Sequence, residues 1–321
     1  MSYIELQEAA RRNTRRLVLL LSGAVTLIVL ELFLILRPSG SPGWTLADDV
    51  EVFLEIGAFT LVFIGLCALY KAYRLSGGGP AVAEMLGGRA IPADTTYTAE
   101  RKLRNVVEEM AIASGLPVPA VYVLDHEEGM NAFAAGLTPE NAAVAVTRGL
   151  LLGLDRDELQ GVVAHEFAHI RNGDMRLDTR LLALQFGILA IGMVGLGLVL
   201  AAAHMRPRRK EDNGVQIALG LAGLVLAAIG FLGILKARLI QSAVSRQREF
   251  LADASAVEFT RNPDGLVSAL RKIGAGGSQL QSAHASEVGH LLIAEGKRSF
   301  FSRLFATHPP IEERIRRLQG R

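Results

Sequence analysis

Cysteine is all but missing: Cys67 stands alone among 321 residues, so no internal disulfide can staple the fold. Charge is thin as well. Only 21% of residues are charged, against about 25% in soluble domains. The 34 basic and 32 acidic residues leave a formal net charge of +2, so no field of one sign exists to hold a polyanion, and a nucleic-acid partner is excluded. Hydrocarbon fills the gap: 50% of residues are hydrophobic and the mean hydropathy is +0.31. That excludes a disordered chain or a collagen-like repeat. The length admits one large domain or two modest ones. The surplus apolar residues gather in four blocks, which predicts a mainly α membrane protein with four hydrophobic helices.

The blocks run from Leu17 to Leu36, Phe53 to Tyr70, Leu181 to Met205 and Val215 to Leu235. About 20 helical residues cross a 30 Å hydrocarbon layer. The first block is too long for the apolar core of a signal peptide, which is roughly 7–15 residues, and Arg37-Pro38-Ser39-Gly40 follows it, so it is expected to be an anchor. Arg11, Arg12, Arg15 and Arg16 precede it, and Lys71, Arg74 and Arg89 follow the second block, whereas the loop between them carries Arg37 against Asp48, Asp49 and Glu51. The positive-inside rule then puts the tail and the central segment in the cytoplasm. Arg206, Arg208, Arg209 and Lys210, between the third and fourth blocks, break the rule: either that hairpin does not cross fully, or the first two helices outvote it. Glu31 and Glu55 lie inside blocks, and the plain expectation is that both snorkel to the outer interface, near Arg37.

The expected division is 1–74 (tail and first hairpin), 75–180, 181–235 (second hairpin) and 236–321. Within the second part, residues 75–98 are rich in Gly, Pro and Ala and read as a loose linker. A helix is expected over Ala99–Ser114. Ala120–Leu124 and Ala142–Val146 read as strands, with Asn131–Gly136 as a third. The last part reads as mostly helical.

The chemistry concentrates in residues 155–174. Asp155 is a plausible N-cap with Glu158 three residues on, and Leu159, Val162, Val163 and Phe167 recur at helical spacing. His165 and His169 then share one helix face, one turn apart, as two imidazoles gripping one zinc ion would require. Glu166 stands beside the first of them, where its carboxylate can take a proton from water activated by the ion. A catalytic zinc needs a third ligand and an open position, and position 175 is Met, so that ligand comes from elsewhere. Glu249 and Asp253, one helical turn apart after the fourth block, can supply a ligand and an orienting group between them. The competing reading is a solvated charged face shared with Arg246 and Arg248.

Taken together, His165-Glu166-Phe167-Ala168-His169 with Asn172-Gly173-Asp174, Ser245-Arg246-Gln247-Arg248-Glu249 through Asp253, Asn131-Ala132-Phe133-Ala134-Ala135-Gly136, and Thr307-His308-Pro309-Pro310 leading to Arg314 resemble the M48 metallopeptidases, in particular the HtpX-like bacterial membrane proteases. The resemblance covers nearly the whole chain. It implies a zincin-type (gluzincin) catalytic domain with a small β-sheet, and one Zn²⁺ per chain on His165, His169 and Glu249. Glu166 would be the general base, and Asp253 would hydrogen-bond a ligand histidine. Residues 131–136 would form an edge strand that aligns a substrate backbone by β-addition. His308 and Arg314 would either stabilise an oxyanion or cap the C-terminal helix.

The implied activity is a zinc endopeptidase of the bacterial inner membrane, its site facing the cytoplasm, degrading misfolded membrane proteins under stress. A prenyl-protein protease is a second possibility of the same class, although that branch carries more membrane helices. A metal-stabilised scaffold would have no use for Glu166. A transporter would need a midplane ionisable pair or broken helices, which no block shows.

Overall fold

The computed structural model describes residues 3–37, 45–74, 77–205, 210–276 and 308–320. In chain order the helices are α1 (Tyr3–Leu36), α2 (Leu46–Arg74), α3 (Gly78–Met85), α4 (Thr98–Ser114), α5 (Arg148–Gly153), α6 (Arg156–Asn172), α7 (Asp174–His204), α8 (Lys210–Thr260), α9 (Pro263–Gly276) and α10 (Ile311–Leu318). The strands are β1 (Arg89–Ala90), β2 (Ala120–Leu124), β3 (Ala132–Ala135) and β4 (Ala143–Thr147). The chain divides into two compact units, each assembled from separate stretches: Arg15–Arg74 with Arg180–Gln241, and Met1–Thr14 with Leu75–Thr179 and Ser242–Arg321. The basic residues 206–209, together with Thr307, His284 and His290, lie outside the described residues.

The first unit holds the apolar stretches of α1, α2, α7 and α8, each long and apolar enough to cross a membrane. All four helices overrun the apolar blocks, because hydropathy marks the hydrocarbon-facing part while the backbone ladder continues past it. Ile28, Ile64 and Ile188 are the most buried large side chains, at 1%, 3% and 0% exposed. α7 and α8 approach so closely that a Cβ on Gly230 would lie 2.2 Å from the Gly192 nitrogen, the small-residue packing that brings backbones together where lipid gives no hydrophobic drive. Gln185 donates to Gln241 across the same pair at 2.5 Å, buried. Glu31 departs from expectation. Its carboxylate lies 3.4 Å from Lys236 Nζ of α8, while Arg37 is taken by Asp49 at 2.7 Å. An ionisable pair inside apolar helices satisfies both charges where water cannot, and a hydropathy scan sees no partner 205 positions away.

The second unit is built on a four-stranded sheet in the order β1-β2-β4-β3. β2 and β4 run parallel, with Ala120 opposite Ala143, and β1 and β3 flank them antiparallel. Val121, Val123, Val144 and Val146 face a core shared with Leu103, Val106 and Val107 of α4, Leu159, Val162 and Phe167 of α6, and Leu266 and Leu270 of α9. Tyr122, Leu124, Phe133, Ala143 and Ala145 face the other way, against Ala83 and Leu86 in and beside α3. With both faces covered, the strands read as unbroken apolar runs. Residues 75–98 are thus no loose linker: they contain α3 and β1. Their glycines serve contact. A Cβ on Gly79 would sit 2.3 Å from the Ala143 nitrogen and 2.4 Å from the Ala135 oxygen, so only glycine lets α3 lie this close to the sheet.

Candidate metal centre

Helix α6 begins in a reciprocal capping box. Glu158 N–H donates to Asp155 Oδ1 at 2.9 Å, and Asp155 N–H donates to Glu158 Oε2 at 2.9 Å, satisfying two orphan donors. Glu158 also accepts from Ser268 and Lys272 of α9, at 2.7 and 2.6 Å, so one carboxylate both starts the helix and ties it to another. Leu159, Val162, Val163 and Phe167 are each 0% exposed. With that stripe locked into the core, the opposite stripe presents His165, Glu166 and His169. Gly173, at φ +70°, ends the helix, and Asp174 starts the next.

His165 Nε2 and His169 Nε2 stand 3.1 Å apart. Glu249, brought in by α8, places Oε2 3.5 Å from His165 Nε2 and Oε1 3.3 Å from His169 Nε2. A tetrahedral ion about 2.0–2.1 Å from its ligands holds them roughly 3.3 Å apart, so the three side chains already stand near the spacing that an ion imposes. Their ring protons agree. His165 Nδ1 lies 3.0 Å from Asp253 Oδ1 and His169 Nδ1 lies 2.7 Å from Asp174 Oδ2. Ionised carboxylates only accept, so each Nδ1 carries the hydrogen and each Nε2 turns a lone pair inward.

The charge count gives a second test. Glu166, Asp174, Glu249 and Asp253 are 1%, 4%, 4% and 3% exposed. Facing them are two guanidiniums, Arg314 and Arg248, with 1% and 12% of their side chains exposed. With all six ionised, two negative charges remain inside the protein, an expensive surplus that one divalent cation would cancel. Glu166 Oε1, Glu249 Oε2 and both ring nitrogens of His308 are buried without a hydrogen-bond partner among the described residues, although His308 Nδ1 stands 2.9 Å from Glu249 Oε2. Two nitrogens, one carboxylate and a fourth direction left open suit zinc. Burial pushes the Glu166 carboxyl above the usual carboxylate range, toward the pH where a base is most useful. Burial and the Arg314 charge push the His165 ring down, but Asp253 and Glu249 outweigh them and leave it above its ordinary value.

The remaining expected residues fall around this centre. Arg314 grips Asp253 with two bonds, Nε to Oδ2 at 2.9 Å and Nη2 to Oδ1 at 2.6 Å, and reaches within 3.4 Å of Glu249 Oε2. β3 is an edge of the described sheet, and its Ala134 lines a pocket of about 30 Å³ with Glu166, His169, Asp174, Glu249 and His308, room for a water molecule. Ala132, Phe133, Ala134 and Ala135 are only 1–3% exposed, with Gly136 at φ +142° closing the strand. Asn131 is buried, and its Oδ1 accepts from Ala132 N–H at 3.0 Å, so it secures the strand and does not line the pocket. Two residues at the centre carry no role in the sequence reading. Asp174 stood only inside a matching motif, and Arg248 only on a presumed solvated face. The signal for Asp174 was its place just past the helix-ending Gly173. Arg248 gave none, since its partner lies 74 positions away.

Residues 98–321 match Peptidase family M48. A protease HtpX homolog of Ligilactobacillus salivarius is 38% identical over 314 residues, covering 98% of this chain and 99% of that one. Another, from Dictyoglomus turgidum, is 40% identical over 271 residues, 84% of each chain. The crystal structure of S. mikatae Ste24p superposes with a TM-score of 0.51 at 15% identity, over 98% of this chain and 67% of that one, a likeness of fold.

Proposed function

The chain belongs to peptidase family M48 and is a multi-pass membrane metalloprotease acting on polypeptides, and from that premise we propose a zinc-dependent endopeptidase with one ion held by His165, His169 and Glu249. The observation that carries this is the convergence of His165 Nε2, His169 Nε2 and Glu249 within 3.1–3.5 Å, beside an unpartnered Glu166 oxygen. Zinc bound there supplies Lewis acidity toward water and the scissile carbonyl. Glu166 takes a proton from the attacking water as its oxygen bonds to the carbonyl carbon. It then returns the proton to the amide nitrogen as the C–N bond breaks. Asp253 keeps the proton of His165 on Nδ1 and so the lone pair on Nε2. Arg314 neutralises Asp253, and His308 is placed to donate to the oxygen on which charge develops. Residues 131–136 supply the edge against which a substrate strand pairs.

The same proposal places the protein in a bacterial inner membrane with the site toward the cytoplasm. The support is the arginine-rich tail and the basic residues after α2, against the acidic loop between α1 and α2. Misfolded membrane proteins are the proposed substrates: in chain order the two halves of the site flank the second hairpin, so the protease is built around its membrane anchor. The test is cleavage of an unfolded model protein by detergent-purified wild type and Glu166→Gln, with zinc counted in both. About one zinc in each, and a loss of roughly 10²–10⁴-fold in rate for Glu166→Gln, is the expected result. Equal activity in the two would remove Glu166 as base; zinc in both with no cleavage by either would favour a metal-stabilised scaffold.

A further inference from the structure

Each inner histidine is backed by a carboxylate, and each carboxylate by a guanidinium. His165 leads to Asp253 and Arg314. His169 leads to Asp174 and Arg248. The first set is sealed, with 0%, 5% and 1% of its side chains exposed. The second is looser: 17% of the His169 side chain reaches the surface, so its ring has more freedom to turn and more need of a brace.

We infer that Arg248, acting through Asp174, is the positioning residue that fixes the His169 imidazole for metal binding. This rests on the metal reading above. Arg248 donates through both Nε and Nη2 to Asp174 Oδ1. Its Nη2 also donates to the Asn172 carbonyl at 3.2 Å, one of the last carbonyls of α6. One guanidinium thereby ties the bracing carboxylate to the end of the helix that carries His169. The free oxygen of that carboxylate, Oδ2, is left aimed at His169 Nδ1. Asp174 is also the first residue of α7, where the helix dipole favours a carboxylate. Arg248 directly precedes Glu249 on α8. One turn of α8 therefore delivers a ligand and orients another, and any shift of that turn moves both. A lysine could match the charge but not the fork.

The test uses the full-length protein in detergent. Zinc affinity is measured by chelator competition, geometry by the visible spectrum of the Co²⁺-substituted protein, and folding by melting of the metal-free form. Asp174→Asn should weaken zinc binding about 10- to 100-fold, because the amide can turn its N–H₂ toward Nδ1 and strand the proton on Nε2. Arg248→Met should lose a similar factor and Arg248→Lys a smaller one, each with an altered Co²⁺ spectrum. Acting through one imidazole, Asp174→Asn and Arg248→Met together should cost no more than the worse of the two. A purely structural tie predicts lowered melting with affinity and Co²⁺ spectrum unchanged, and that result overturns the inference, as does full additivity. Should Arg248→Met not fold, Arg248→Lys decides: a wild-type spectrum and affinity overturn it. A wild-type chain that takes up neither ion removes the metal reading itself, which is distinct from variants losing what the wild type has.

Discussion

In the unit of residues 15–74 and 180–241, Leu19, Phe59 and Leu69 point outward with 72%, 76% and 67% of their area exposed. In the other unit the groups hidden deepest include Glu166, Asp253 and Arg314, at 1%, 3% and 1%. One chain thus follows two opposite surface rules. Where the surrounding medium is hydrocarbon, an outward leucine costs nothing and the helices need only satisfy their own backbone. Where it is water, apolar groups go inside, and a buried charge survives only with a partner.

That contrast can be broken at graded cost. The largest effect is expected at Arg314→Met, which leaves Asp253 buried and unpaired and should destabilise its unit by about 3–5 kcal/mol; melting of the zinc-free protein followed by circular dichroism reads it. Next come two matched changes at exposed apolar sites. Leu61→Lys, on α2 at 57% exposed, should cost about 2.5–3.5 kcal/mol of membrane insertion. Ile112→Lys, on α4 at 84% exposed, should stay within about 0.5 kcal/mol. Similar costs in an insertion assay and a melting assay would erase the distinction. Asp155→Ala removes the cap of α6 and should cost about 1 kcal/mol.

The smallest effect is one of pH. Burial raises the Glu158 carboxyl, but bonds from Lys272, Ser268 and the Asp155 N–H outweigh it and hold it below its ordinary value of 4.5. A carboxyl lowered on folding stabilises fully above its unfolded value, and that stability is lost as pH falls through the folded one. The melting gap between wild type and Glu158→Gln should therefore be widest at neutral pH and shrink below about pH 4.5. A gap constant with pH would show that the carboxylate charge is not what ties α6 to α9.

Legibility in the sequence follows the same divide. The spans are visible because hydropathy is a local property. The α6 helix is visible because its caps, its apolar stripe and the His165–His169 spacing all lie within twenty positions. The Gly-rich stretch before α4 misleads, since glycine density looks the same whether it serves looseness or, as at Gly79, contact with a sheet. Glu31 misleads because Lys236 is remote in sequence, and Arg248 is silent for the same reason. Pairings made by tertiary packing leave no periodic mark.

Residue order has a consequence in time. Arg314 follows His165 by 149 positions, and Glu249 and the second hairpin lie between them. At about 5–20 residues per second, a ribosome delivers the arginine roughly 7–30 s after the histidine. During that interval the growing chain holds two imidazoles and a base but neither the proposed third ligand nor the guanidinium that steadies Asp253. The protease cannot cut until its anchor has been made, and a chain stalled in the second hairpin is harmless to its neighbours.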